Sequence, residues 1–165
     1  MDITFAGNKV NLIGNEIKVG DTAPAFKATK NDLSEWSSED NEGKVVVYSV
    51  APSLDTSVCA LQAKRFNKEA AALDGVSVVT ITEDLPFAQA RFCSNEDIEN
   101  TIMISDYQNR EFGEKYGFLM KENKLLARGV VVVDKEGKVA YVEYVPDVTN
   151  EVDFDKALEE VKKLI

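Results

Sequence analysis

Residues 44–66 read "KVVVYSVAPSLDTSVCALQAKRF". From Val45 to Ala51 the chain is β-branched and apolar, and Pro52 stops the run. Such a segment reads as a strand buried on both faces. Beyond the polar residues 53–57, Cys59, Ala63, Phe66, Ala70 and Leu73 recur at spacings of 4, 3, 4 and 3. That period predicts one buried face of a helix from about Ser57 to Leu73. A buried strand leading directly into an amphipathic helix sets an α/β pattern, and the remaining segments extend it.

Downstream, "VSVVTITED" reads as a strand, "PFAQARFC" as a short helix and "NTIMISD" as a strand. "NREFGEKYG" reads as a short helix closed by Gly117, and "ARGVVVVDKEGKVAYVEYV" as two strands joined by a turn with Asp134 and Gly137. Phe154, Leu158, Val161 and Ile165 form the apolar stripe of a last helix. Upstream, "ITFAG" and "KVNLIG" flank Gly7-Asn8, a dipeptide suited to a hairpin turn. Pro24 and the polar cluster 34–43 argue against long elements between them and the central strand. The pattern predicts a central, partly parallel mixed sheet flanked by helices, with an N-terminal β-hairpin. No repeat or linker divides the 165 residues, so one domain over 1–165 is expected.

Composition removes several function classes. The net charge is −10, opposite to what phosphate neutralisation needs, so no nucleic-acid partner is expected. The apolar runs fall far short of the roughly 20 residues of a membrane span. "MDITFAGNKV" lacks the regions of a signal peptide, and a cytoplasmic location is expected with no membrane partner. The chain has no histidine, which excludes Cys-His and Ser-His catalysis and His-ligated zinc. Its 2 cysteines are too few for a zinc or iron–sulfur site, and Cys59-Ala60-Leu61-Gln62 is not a Cys-x-x-Cys motif.

The two cysteines differ in setting. With Thr56 as N-cap, Cys59 occupies the third helical position, where unpaired N–H groups and the helix dipole favour an anion. Thiols in such places react as thiolates. Thr56 is also close enough in sequence to direct its hydroxyl toward the sulfur. Equally, Cys59 lies on the apolar stripe, and a small buried core cysteine is common. Cys93 falls near the end of the next helix, for which Asp84 is the expected N-cap and Pro86 a first-turn residue. The negative helix end disfavours a thiolate there, and simple packing beside Gln89 or Ala90 is the competing reading. A bridge between the two, closed without strain, would contribute about 3–4 kcal/mol. In the cytoplasm it would be transient.

Pro52-Ser53-Leu54-Asp55-Thr56-Ser57-Val58-Cys59 resembles the peroxiredoxin pattern of Pro, three residues, Thr or Ser, two residues, Cys. "PSLDTSVC" followed by "FN", "DLPFAQARFC", "LLARGVVVVD" and "EIKVGDTAPAFKATKNDLSE" are similar to segments of its thiol peroxidase subgroup, bacterial atypical two-cysteine enzymes. The resemblance covers nearly the whole chain. It implies a thioredoxin-like fold and peroxidase activity on hydrogen peroxide and organic hydroperoxides. It also implies a homodimer, thioredoxin as reductant, and no metal or organic cofactor. Carried over, Cys59 is the peroxidatic cysteine and Cys93 the resolving cysteine that bonds to it. Thr56 hydrogen-bonds the thiolate and the peroxide, Pro52 shields the site, and Arg128 holds the thiolate and polarises the peroxide. Without the family, Arg128 at a strand start reads as a solvated surface charge. With no histidine present, however, a thiolate needs some other cation, and arginine stays charged at any relevant pH. Ala51 and Glu83 depart from the subgroup, which often has a bulkier and a smaller residue there. Two rival readings remain: a general thiol-disulfide oxidoreductase, and a non-catalytic protein of the same fold with two core cysteines.

Overall fold

The computed structural model describes residues 1–165. Its first elements are the hairpin strands β1 (Ile3–Phe5) and β2 (Asn8–Val10). The turn sits one residue earlier than Gly7-Asn8. Ala6 and Gly7 hold φ of 50° and 81°, the doubly left-handed backbone of a type I′ turn, and Asn8 already pairs with Phe5. Short elements follow: β3 (Leu12–Ile13), β4 (Lys27–Lys30), β5 (Glu35–Ser37) and a 3-10 turn over Ser38–Asn41. Next come β6 (Val45–Val50), α1 (Ser57–Glu69), β7 (Val76–Thr82), α2 (Pro86–Asn95) and β8 (Ile102–Ser105). The chain closes with α3 (Glu111–Lys115), β9 (Leu119–Met120), β10 (Gly129–Val133), β11 (Val139–Tyr144) and α4 (Phe154–Lys162).

Seven strands form the main sheet in the order β11-β10-β6-β7-β8-β4-β5. β6, β7 and β8 run parallel, and the remaining neighbours pair antiparallel. The sheet is thus mixed and flanked by helices, as the strand–helix alternation requires. β4 and β5, inside the stretch expected to lack long elements, form its far edge. β3 pairs with β9 outside the main sheet.

Along β6 the side chains alternate between the two faces, as strand geometry demands. Val46, Tyr48 and Val50 join the larger core with Phe26, Phe112 and Tyr116. Val45 and Val47 join the second core with Phe66 of α1 and Phe154, Leu158 and Val161 of α4. Each such fully buried side chain contributes roughly 1.5–3 kcal/mol. The stripe of α1 is buried through Ala70, although the helix itself ends at Glu69. On α4, Ile165 departs from the expected stripe. It lies beyond the helix end and is 51% exposed.

Register places the functional loops. Val50 of β6 lies beside Ile81 of β7 in parallel pairing, so residues 51–56 and 83–85 leave the sheet side by side. Gly129 at the start of antiparallel β10 also pairs with Val50, which brings Arg128 to the same end. The carboxyl ends of parallel strands are where open α/β sheets carry their sites. Gly129 is needed for this packing. A Cβ there would lie 2.0 Å from the Glu143 carbonyl oxygen and 2.6 Å from the Phe118 ring.

Candidate active site

Thr56 caps α1 from extended backbone, φ −99° and ψ 146°. Its hydroxyl accepts from the Cys59 N–H at 3.3 Å and donates to the Ser53 carbonyl at 3.2 Å. Cys59 therefore stands at the third helical position, as expected. The Thr56 hydroxyl itself is engaged by backbone rather than turned to the sulfur.

Cys59 is wholly buried, and its sulfur meets Arg128. Arg128 Nη2 lies 3.1 Å from Cys59 Sγ, Nη1 donates to Gln62 Oε1 at 2.9 Å, and Nε donates to the Val148 carbonyl at 2.8 Å. Gln62 sits one helical turn after Cys59 and is held in place in turn. Its Nε2 donates to Ser49 Oγ at 3.0 Å and to the Val50 carbonyl at 3.1 Å. Ser49 can take that bond because the alternation of β6 turns it toward α1. Gln62 escaped the sequence reading, since a polar residue beside an apolar stripe reads as a solvated position. Its one signal was its place in the turn that follows Cys59.

Arg128 is 2% exposed, which removes the surface-charge reading. Its other two bonds go to neutral oxygens, and no carboxylate lies within ion-pair distance. An unpaired buried cation costs several kcal/mol. The remaining group at hydrogen-bond distance from it is the sulfur of Cys59.

Pro52 is buried and forms part of the loop 51–56 beside the cysteine. Asp84 does not cap α2. The cap position is Leu85, with Pro86 opening the helix, and Leu85 has no side chain able to accept an N–H. The Asp84 carboxylate, one residue before the cap, turns toward the loop instead. It accepts from Ser53 Oγ at 2.7 Å and from the Leu54 N–H at 2.8 Å. The Glu83 side chain is buried beside the Asp106 carboxyl, with Arg110 Nε 3.8 Å away. Burial first, and the Asp106 charge second, push the Glu83 carboxyl well above the usual carboxylate range.

Cys93 occupies a different environment. It is half-buried near the end of α2 and packs on a small cluster of Leu54, Ala63, Ile98 and Met103. Burial pushes its thiol up, against a weaker pull from Asn31. Both thiols are free, and no hydrogen bond joins them. The structure thus brings Cys59, Thr56, Pro52 and Arg128 to one sheet end and sets Cys93 apart, on the cluster that includes Leu54. The larger surface cavities contain neither cysteine. One of about 440 Å³ lies by Pro24 and Tyr48, and one of about 550 Å³ by Trp36 and Ile102.

Such an arrangement offers a sulfur nucleophile with a fixed cation and a second thiol in reserve. The whole chain is similar to known proteins. The Redoxin family model matches residues 18–159. A thiol peroxidase of Bacillus subtilis is 49% identical over 164 residues, covering 99% of this chain and 98% of its own. A peroxiredoxin-like protein from Aquifex aeolicus superposes with a TM-score of 0.94 at 43% identity, covering 99% of this chain and 97% of its own. A thiol peroxidase from Chromobacterium violaceum superposes with a TM-score of 0.88 at 19% identity, covering 99% and 96%, and shares the thioredoxin-like fold. The chain belongs to the Redoxin family and, within it, to the peroxiredoxin-type thiol peroxidases.

Proposed function

We propose that this thiol peroxidase reduces hydrogen peroxide and organic hydroperoxides through Cys59 and Cys93. The observation that carries this reading is Arg128, buried without a carboxylate and 3.1 Å from Cys59 Sγ. A fixed guanidinium there balances a thiolate and donates to the peroxide oxygen that gains charge as the O–O bond breaks.

In the first step the Cys59 thiolate attacks the terminal peroxide oxygen. An S–O bond forms and the O–O bond breaks. The departing hydroxide or alkoxide takes the proton released when the thiol ionised, giving water or an alcohol. Sulfur loses two electrons and becomes a sulfenic acid. In the second step Cys93 sulfur attacks Cys59 sulfur. The S–O bond breaks, the S–S bond forms, and the leaving hydroxide carries away the Cys93 proton as water. A dithiol protein of the thioredoxin class then reduces the bridge by thiol–disulfide exchange. Sulfur carries both electrons, so the cycle needs no metal or organic cofactor. Pro52 walls the loop and Thr56 fixes the helix end. A single domain over residues 1–165, a homodimer and a cytoplasmic location complete the proposal.

The test is single-turnover peroxide consumption by stopped flow. Wild type removes peroxide rapidly and Cys59→Ser does not. Cys93→Ser removes one equivalent and stops at sulfenic acid. A general thiol-disulfide oxidoreductase would leave peroxide untouched in all three.

A further inference from the structure

Asp84 stands at the junction of the two segments that carry the cysteines. Its carboxylate accepts three hydrogen bonds: from Ser53 Oγ at 2.7 Å, the Leu54 N–H at 2.8 Å and Thr82 Oγ1 at 2.8 Å. From Ser53 the bonding runs on toward Cys59. The Ser53 carbonyl accepts from the Thr56 N–H and the Thr56 hydroxyl, and Thr56 accepts from the Cys59 N–H. In the other direction it runs toward Cys93. Thr82 Oγ1 accepts from Nε2 of the wholly buried Gln89, one turn before Cys93 on α2. Gln89 Nε2 also donates to the Ile104 carbonyl at 2.7 Å, which fixes α2 to the sheet. Asp84 is thus the one side chain bonded both to the Cys59 loop and to the support of the Cys93 helix.

We propose that Asp84 is a positioning residue that latches the loop 53–56 closed for the peroxide step and must release it for the disulfide step. This rests on the two-cysteine cycle proposed above. Two observations favour it. Cys59 is wholly covered and Cys93 packs on a separate cluster, so the sulfurs meet only if backbone near Cys59 moves, and loop 53–56 is the segment that leads into its helix and caps it. Leu54, whose N–H the latch holds, is also part of the cluster on which Cys93 packs. Opening the latch frees Leu54 and uncovers Cys93 in the same movement. Asp84 touches neither sulfur in this arrangement. It acts through Ser53 and Thr56, by setting how often the loop is open.

The experiment measures two rates in one protein by chemical quench and mass spectrometry, with hydrogen peroxide as the probe. One is the second-order loss of the Cys59 thiol. The other is the first-order conversion of sulfenic acid to disulfide, which is independent of peroxide concentration. Asp84→Ala should slow the first about tenfold, the scale of losing hydrogen bonds to a charged group, and speed the second at least about threefold. Asp84→Asn, which keeps an acceptor for the Leu54 N–H, should lie between Asp84→Ala and wild type in both. Leu158→Ala, which weakens the fold at α4 away from this loop, should not move the two steps in opposite directions, and the same opposed shift there would overturn the latch. Both steps unchanged, or both slowed, overturns the latch. Should Asp84→Ala not fold, Ser53→Ala at the part-exposed end of the chain of bonds decides by the same two rates. A wild type that leaves hydrogen peroxide untouched would instead overturn the peroxidase cycle itself, and the latch with it.

Discussion

Cys59 and Cys93 are the same residue in two settings. Cys59 stands in the first turn of α1, wholly buried, with a guanidinium on its sulfur. Cys93 stands near the end of α2, half-buried on apolar side chains, with its thiol pushed up by burial. Burial alone does not tell the two apart by role, since the more buried of them is the one with the charged partner. What separates them is the kind of group brought to the sulfur and the end of the helix that holds it.

Exchange of either residue tests that contrast most severely. Cys59→Ser should abolish peroxide consumption, because no other group here has both a helix N-terminus and a cation. Cys93→Ser should abolish turnover with a dithiol reductant while leaving the first equivalent within about twofold of wild type, as expected for a group outside the first step. Stopped-flow peroxide loss reads the first, and steady-state assay the second.

Arg128 comes next. Arg128→Lys keeps a charge but loses the planar fork that reaches Gln62 and Cys59 together. Loss of one such donor should slow the peroxide step by about 100-fold or more. Gln62→Leu leaves the guanidinium in place but removes the neighbour that orients it, together with the bonds to Ser49 and Val50, and a loss of about tenfold is expected. Equal rates for Arg128→Lys and wild type would reduce the contrast between the cysteines to helix position alone.

Local opening gives a smaller, structural signal. Amide exchange over residues 57–62 and 86–95 should rise on oxidation, since both helix segments must loosen for the sulfurs to meet. Equal exchange in reduced and oxidised protein would contradict that movement.

The smallest effect concerns stability. Glu83 is pushed up in the folded protein by burial and by Asp106, so the native state holds a proton that the unfolded chain releases. Stability contributed by that proton is present at low pH and is lost as pH rises above the ordinary carboxylate range. Glu83→Gln should remove this slope. At pH 8 it should raise stability by about 1–2 kcal/mol, roughly 3–6 °C in Tm, and by less at pH 5.

Much of this was legible in the sequence because it rests on local patterns. The β-branched run before Pro52, the stripe through Cys59 and the Thr56 cap are properties of consecutive residues. The Pro-x-x-x-Thr-x-x-Cys spacing is too. What the sequence concealed depends on distant pairing. β4 and β5 are short and polar, and they become strands only because β8 offers them an edge. Arg128 reads as a surface charge until the Gly129–Val50 register carries it to the cysteine. Asp84 has the composition of a helix cap, and its carboxylate turns to Ser53 because loop 51–56 lies beside it in space. Gln62 is a partner whose role exists only once Arg128 has arrived.

The central claim is that Cys59, and not Cys93, is the sulfur that meets peroxide. Mass spectrometry after one equivalent of hydrogen peroxide, with a reagent that traps sulfenic acids, tests it directly. In Cys93→Ser the label should appear on Cys59, and in Cys59→Ser no label should form on Cys93. Label on Cys93 in Cys59→Ser, at the wild-type rate of peroxide loss, would contradict the account.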